Sequence, residues 1–168
     1  MVEGTFRLRR SCDRDVPALA ALHLRTALHA YSRIFPPDAP APDLAELTGD
    51  WRARTCGPSA AACFVAAIGE APVGVVLAGA DPAREDAGHL SRLYVDPAVW
   101  ARGIGRALHD RALDELRARG FDRATLWVLE ANTRARTWYE RLGWSSSGAR
   151  TVTYAPAAID DVGYERPL

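Results

Sequence analysis

The segment from His89 to Leu116 limits most tightly what this chain can fold into. His89-Leu90-Ser91-Arg92-Leu93-Tyr94-Val95 reads as a strand, and Asp96-Pro97 stops it, because proline lacks the N–H that a ladder needs. Ala98 to Arg102 then leads into Gly103-Ile104-Gly105. From there Ile104, Ala107, Leu108, Ala112, Leu113 and Leu116 recur at the period of a buried helix face, which Gly120 terminates. A strand that passes through a glycine-bearing turn into a helix presents main-chain N–H groups at the positive end of the helix dipole. That is an anion site suited to a pyrophosphate, and glycine lets phosphates approach the backbone. Arg102 and Arg106 supply charge beside it. Taken alone, the glycine pair fits a plain strand-to-helix turn better than a phosphate site.

The remaining elements follow from periodicity and punctuation. Thr5 to Arg9 alternates as a first strand. Asp13 caps a helix with Val16, Ala20, Leu24, Ala27, Leu28 and Tyr31 on its core face, and Phe35-Pro36-Pro37 ends it. Leu44 to Arg54 reads as a short second helix carrying Trp51. Cys63 to Ile68 and Val73 to Ala80 are apolar strands joined through Gly69-Glu70-Ala71-Pro72, and Asp81 to Gly88 reads as a polar turn. Ala124 to Leu129 is a strand. Thr133 to Leu142 is a short helix with Asn132 as N-cap and Gly143 past its end, and Thr151 to Tyr154 and Val162 to Glu165 close the chain as strands. The order is β, α, α, β, β, β, α, β, α, β, β, an α/β chain whose mixed sheet has helices on both faces. No repeat or linker breaks residues 1–168, so a single domain is expected.

Bulk properties narrow the function. Acidic and basic residues balance at 21 each, which leaves no field to draw in nucleic acid. The three cysteines form no C-x-x-C pair, so neither a disulfide framework nor a metal site is expected, and a reducing, cytoplasmic setting fits. Met1 to Arg10 has no signal-like apolar core, and no apolar run is long enough to cross a membrane.

Two familiar phosphate motifs fail. Gly103-x-Gly105-x-x-Leu108 lacks the third glycine of a dinucleotide fingerprint, and no Gly-Lys-Ser/Thr follows. The stretch from His89 to Gly148 instead resembles the GNAT acyltransferase superfamily. Leu93-Tyr94-Val95-Asp96-Pro97 is similar to that family's central strand. Trp100-Ala101-Arg102-Gly103-Ile104-Gly105 is similar to its pyrophosphate loop, with Trp100 where the family has Gln or Arg. Asn132, Ala135 and Trp138-Tyr139-Glu140-Arg141-Leu142-Gly143-Trp144 are similar to its later block.

The resemblance implies a GNAT-like sheet of about seven strands, splayed between its two central strands, with acetyl-CoA lying in the gap. Leu93, Tyr94 and Val95 would meet the pantetheine arm and acetyl carbonyl through their backbone. Amides of Ala101, Arg102, Gly103, Ile104, Gly105 and Arg106 would hold the pyrophosphate, and Asn132 would touch the pantetheine or adenine side. Direct attack of an amine on the thioester needs a base, an oxyanion donor and a proton for the leaving thiolate. His89 is the candidate base, with its side chain expected on the same strand face as Leu93, and its natural pKa suits the task. Tyr139 is the candidate acid by resemblance, and the N–H of Tyr94 or Val95 the oxyanion donor. Glu130 is an alternative base, and Trp127 stands where some members have a catalytic glutamate. In this superfamily the first helices form the acceptor wall, here with His23, Arg25, His29, Tyr31, Phe35, Trp51 and the loop from Pro36 to Pro42; helix packing is the competing role for each.

The leading expectation is an acetyl-CoA-dependent N-acetyltransferase acting on a small-molecule or peptide amine. A non-catalytic acetyl-CoA sensor and a nucleotide-binding domain of another fold are the alternatives. Many domains of this superfamily dimerise, and the sequence identifies no interface.

Overall fold

In the computed structural model, which describes residues 5–31, 34–35, 41–55, 61–154 and 157–168, the apolar runs assemble into a seven-stranded sheet. The strands are β1 (Arg7–Arg10), β2 (Ala62–Ile68), β3 (Ala71–Asp81), β4 (Arg84–Val95), β5 (Arg123–Leu129), β6 (Ser145–Tyr154) and β7 (Ala157–Pro167). The helices are α1 (Val16–Tyr31), α2 (Leu44–Thr55), α3 (Ile104–Ala118) and α4 (Thr133–Arg141). The element order is the expected one. The strands run β1-β2-β3-β4-β5-β7-β6 across the sheet. The pair β4 and β5 is parallel, and the other neighbours are antiparallel.

β2 and β3 read as near-continuous apolar runs because both their faces are covered. On one face Val16, Leu19, Leu22 and Trp51 from α1 and α2 pack on Cys63, Val65, Val75 and Leu77. On the other, Ile104, Leu108, Ala112 and Leu116 from α3 pack on Phe64, Ala66, Val76 and Ala78. Two glycines let α3 lie close to the sheet. A Cβ on Gly74 would stand 2.8 Å from Leu108 Cδ1, and one on Gly88 would stand 2.7 Å from Leu116 Cδ2. That close seating fixes the start of α3 beside the end of β4.

Two expectations need correction. The turn after β3 is only Pro82-Ala83, and Glu85 to Gly88 belong to β4. Their charges look turn-like, yet they lie at the sheet's end, where Arg84 meets Glu165 of β7 at 2.9 Å. The closing strands are also longer than their β-branched cores, because pairing with β7 draws the Ser- and Gly-rich stretch from Ser145 into an exposed edge. Pro36 to Pro40, Cys56 and the side chain of Tyr31 lie outside the described residues.

Candidate active site

The centre of the sheet opens. β4 and β5 pair only at Ala87↔Arg123, Gly88↔Ala124 and His89↔Thr125, although β4 continues to Val95 and β5 to Leu129. The cleft between the diverging ends is lined by His89, Arg92, Leu93 and Tyr94 of β4 and by Trp127 to Leu129 of β5. Asn132, Ala135 and Tyr139 of α4, with Arg150 and Asp161, complete it.

At the end of β4, Asp96 caps a short turn by accepting from Ala98 N at 3.0 Å, and Trp100 Nε1 donates back to Val95 O at 2.8 Å. Arg134 stacks 3.7 Å over the Trp100 ring, and His29 meets its edge. Anchored there, the chain passes through Ala101 at φ 62° and Gly103 at φ 78°. Ala101 is the one non-glycine residue with positive φ among those described. The Trp100 amide bonds Pro97 O, and the Ala107 amide bonds Gly103 O. Among the described residues, the six amides between them, from Ala101 to Arg106, make no internal hydrogen bond, and no side chain caps α3. Helix N-termini carry such orphan donors, and they are what a bound anion satisfies. Arg106 is paired with Asp110 at 2.7 Å. The turn therefore fits a diphosphate by backbone donors and dipole, with Arg102 and Arg106 exposed beside it.

Asn132, Ala135 and Tyr139 share a face of α4 because their spacing is close to whole helical turns. Asn132 Oδ1 accepts from Ala135 N at 3.2 Å, which caps α4 and fixes the side chain at the helix head, where the residue lines the cleft. The Tyr139 ring is packed among Trp138, Trp144 and His109. His109 is itself fixed, accepting from Trp144 Nε1 at 3.0 Å through Nε2. Burial, with the Tyr94 phenol nearby, pushes the Tyr139 hydroxyl well above its ordinary pKa, so it stays protonated.

His89 departs from the expected geometry. Leu77 pairs with Arg92 and Ala78 with Leu90, so Ser91 is an extra residue in β4, a bulge that resets the alternation. Leu90, Leu93 and Val95 all face α3, whereas Tyr94 and Arg92 face α1 and α2. His89 therefore shares its face with Arg92 and Tyr94, opposite Leu93. Its Nδ1 lies 2.8 Å from Thr125 Oγ1 and 3.8 Å from Asp81 Oδ2. Burial lowers its pKa below the usual histidine value; Asp81 opposes that shift and Arg150 adds to it. The ring is neutral near pH 7.

The chain matches the acetyltransferase (GNAT) family over residues 24–144. It belongs to the GNAT family. Over 174 residues, this GNAT chain is 28% identical to the "Probable N-acetyltransferase Rv2775" of Mycobacterium tuberculosis, covering 98% of this chain and 95% of that protein. It is 55% identical over 58 residues to a mycothiol acetyltransferase of Beutenbergia cavernae, a match that spans 34% of this chain and only 20% of that protein's length. A crystal structure of a GNAT phosphinothricin acetyltransferase from Sinorhizobium meliloti in complex with AcCoA superposes with a TM-score of 0.76 at 20% identity, covering 98% of this chain and 89% of the other.

Within the GNAT domain, several sequence candidates sit away from the cleft. Trp51 is fully buried in the core under α1 and α2. Arg25 pairs with Asp96 at 2.9 Å and His29 packs on Trp100, so both brace the turn. Glu130 is exposed just past β5, outside the cleft lining. Trp127 lines the cleft under a stacked Arg150 guanidinium at 4.1 Å. Thr125, Asp81, Arg150 and Asp161 were not singled out by sequence. A lone hydroxyl in the apolar run Arg123–Leu129 was the one available signal, since pairing of distant strands brings the others in. Among the described residues no group of three His, Cys, Asp or Glu is placed to hold a metal, and no helix is long and apolar enough to cross a membrane.

Proposed function

We propose that residues 1–168 form one catalytic domain that moves an acetyl group from acetyl-CoA to a primary amine by direct attack in a ternary complex. The observation that carries this reading is the row of amides from Ala101 to Arg106, without internal partners, that follows β4, the strand whose His89 to Tyr94 line the cleft with Tyr139. The cleft, about 230 Å³, is smaller than a pocket that encloses a whole drug-sized ligand. It takes the pantetheine arm and acetyl group while the diphosphate stays outside on the turn. Leu93 to Val95 border the arm along β4, and Asn132 donates to it from the head of α4.

Bound acetyl-CoA supplies the thioester. His89 lies on the face of α1 and α2, and accepts a proton from an amine entering on that side. The C–N bond forms as the C–S bond breaks; nitrogen gives its protons one at a time to His89, which passes each to solvent, and sulfur gains one from Tyr139, which solvent reprotonates. The main-chain N–H of Val95, directed away from β3 because the Asp96 amide next to it bonds Val73 O at 2.8 Å, faces the developing oxyanion. Tyr139, held protonated, donates to the departing sulfur. The acceptor is a small-molecule or peptide amine, in keeping with relatives named for mycothiol and phosphinothricin.

Thiol release from acetyl-CoA tests this across an alanyl peptide, a lysyl peptide, spermidine, phosphinothricin and a glucosamine derivative. Acceptor-dependent release that falls in His89→Ala and Tyr139→Phe is expected. Absence of coenzyme A binding by the folded chain would overturn the reading.

A further inference from the structure

We infer that Thr125 and Asp81 are positioning residues for His89: they hold its ring as the Nδ1–H tautomer, turn Nε2 into the proton acceptor, and set a carboxylate behind the imidazole. The inference rests on the acetyl-transfer reading, in which His89 is the base.

Counting protons decides the direction of the chain. Thr125 Oγ1 lies in hydrogen-bond contact with Asp81 Oδ2, 3.3 Å from Gly88 O and 2.8 Å from His89 Nδ1. A carboxylate and a carbonyl only accept, and a threonine hydroxyl has one proton to give. That proton goes to Asp81 or Gly88. The oxygen is then left to accept from His89, so Nδ1 carries hydrogen and Nε2 carries the lone pair. The reverse assignment would set the threonine lone pairs against both a carboxylate and a carbonyl in a buried site.

The fold fixes this chain of contacts. Thr125 stands directly opposite His89 in the last paired register of β4 and β5, just where the cleft begins. Asp81, the final residue of β3, closes behind them with its side chain 8% exposed, against 15% for His89. Screening by water is weak there, so the Asp81 charge stabilises the imidazolium that forms when Nε2 takes a proton. Of the other charged groups around the ring, Arg150 of β6 opposes that state. Arg150 is itself held 3.2 Å from Asp161 of β7. Arg92 lines the same cleft and is held by Asp50 at 2.8 Å.

Two measurements test the inference. In the ¹⁵N spectrum of the folded protein at pH 8, with the His89 signal assigned by its loss in His89→Ala, Nδ1 should be protonated and Nε2 bare. Using the fastest acceptor from the amine panel, Thr125→Val and Asp81→Asn should lower kcat about 10- to 100-fold and leave the KM for acetyl-CoA unchanged. Thr125→Ser, which keeps the hydroxyl, should restore the rate. Asp81→Asn should also move the acid limb of kcat/KM to lower pH, because removing the carboxylate makes His89 harder to protonate. In a His89→Ala background, Thr125→Val should cost nothing further. An Nε2–H tautomer, an unchanged rate in Thr125→Val, or an equal loss with and without His89 would overturn the inference while leaving acetyl transfer standing. A His89→Ala enzyme as fast as the native would overturn both the base and its positioning partners.

Discussion

The glycines of the turn make different demands, and substituting each by alanine separates conformation from packing. Gly103 sits at φ 78°, and a Cβ added there would find nothing within 4 Å. Its alanine would meet no atom, and its whole cost is backbone strain, about 1–2 kcal/mol. Gly105 has no positive φ; a Cβ there would lie 3.6 Å from Trp138 Cζ2 and 3.7 Å from Val95 Cγ2, ordinary contact distances. In the first turn of α3, alanine also favours the helix by up to about 1 kcal/mol. Scanning calorimetry without ligand should therefore show Gly103→Ala melting roughly 2–8 °C lower, since about 1 kcal/mol shifts a domain of this size by about 2–4 °C. Gly105→Ala should melt at or slightly above the native temperature. If the Gly103→Ala turn relaxes instead of bearing the strain, its amides rotate away from the anion. The same energy then appears as an affinity for coenzyme A weaker by about 5- to 30-fold. One loss or the other must be seen. A Gly103→Ala protein with native melting and native affinity would refute the reasoning, as would a Gly105→Ala protein that melts well below both.

Other outcomes follow from the same geometry. Tyr139→Phe should bind coenzyme A like the native chain but lose about 100- to 10,000-fold in turnover, measured by thiol release; native turnover would remove the hydroxyl from the chemistry. Leu108→Ala, at a fully buried position between α3 and the sheet, should cost about 2–5 kcal/mol in urea unfolding. Three histidines make stability acid-sensitive: burial holds His23 down to about 4, with Arg92 adding to the effect, and burial also lowers His89 and His109. The unfolded chain takes up these protons near pH 6.5 while the folded chain resists, so urea midpoints should hold above pH 6.5 and fall between pH 6.5 and pH 4. A flat profile over that window would contradict the burial of these rings.

The parts of the site carried by short segments were legible in the sequence. Gly103 before an apolar stripe announced α3 and its open N-terminus, and Asn132, Ala135 and Tyr139 announced one face of α4, because helix geometry depends only on local spacing. The parts set by strand pairing were not. Strict alternation put His89 with Leu93, and one bulged residue, Ser91, reversed it. Thr125 and Asp81 reach His89 across separations of 36 residues in one case and 44 between themselves. Only the register of β3, β4 and β5 makes them neighbours. Ser145 to Arg150 lacked strand character because an exposed edge demands little of its side chains.

The account stands on free amides at the start of α3, and those amides can be watched one by one. In ¹⁵N–¹H spectra, adding coenzyme A should shift Ala101, Arg102, Gly103, Ile104, Gly105 and Arg106 together, whereas pantetheine, which carries no diphosphate, should leave them in place. Coenzyme A binding that left these six signals unmoved would contradict it.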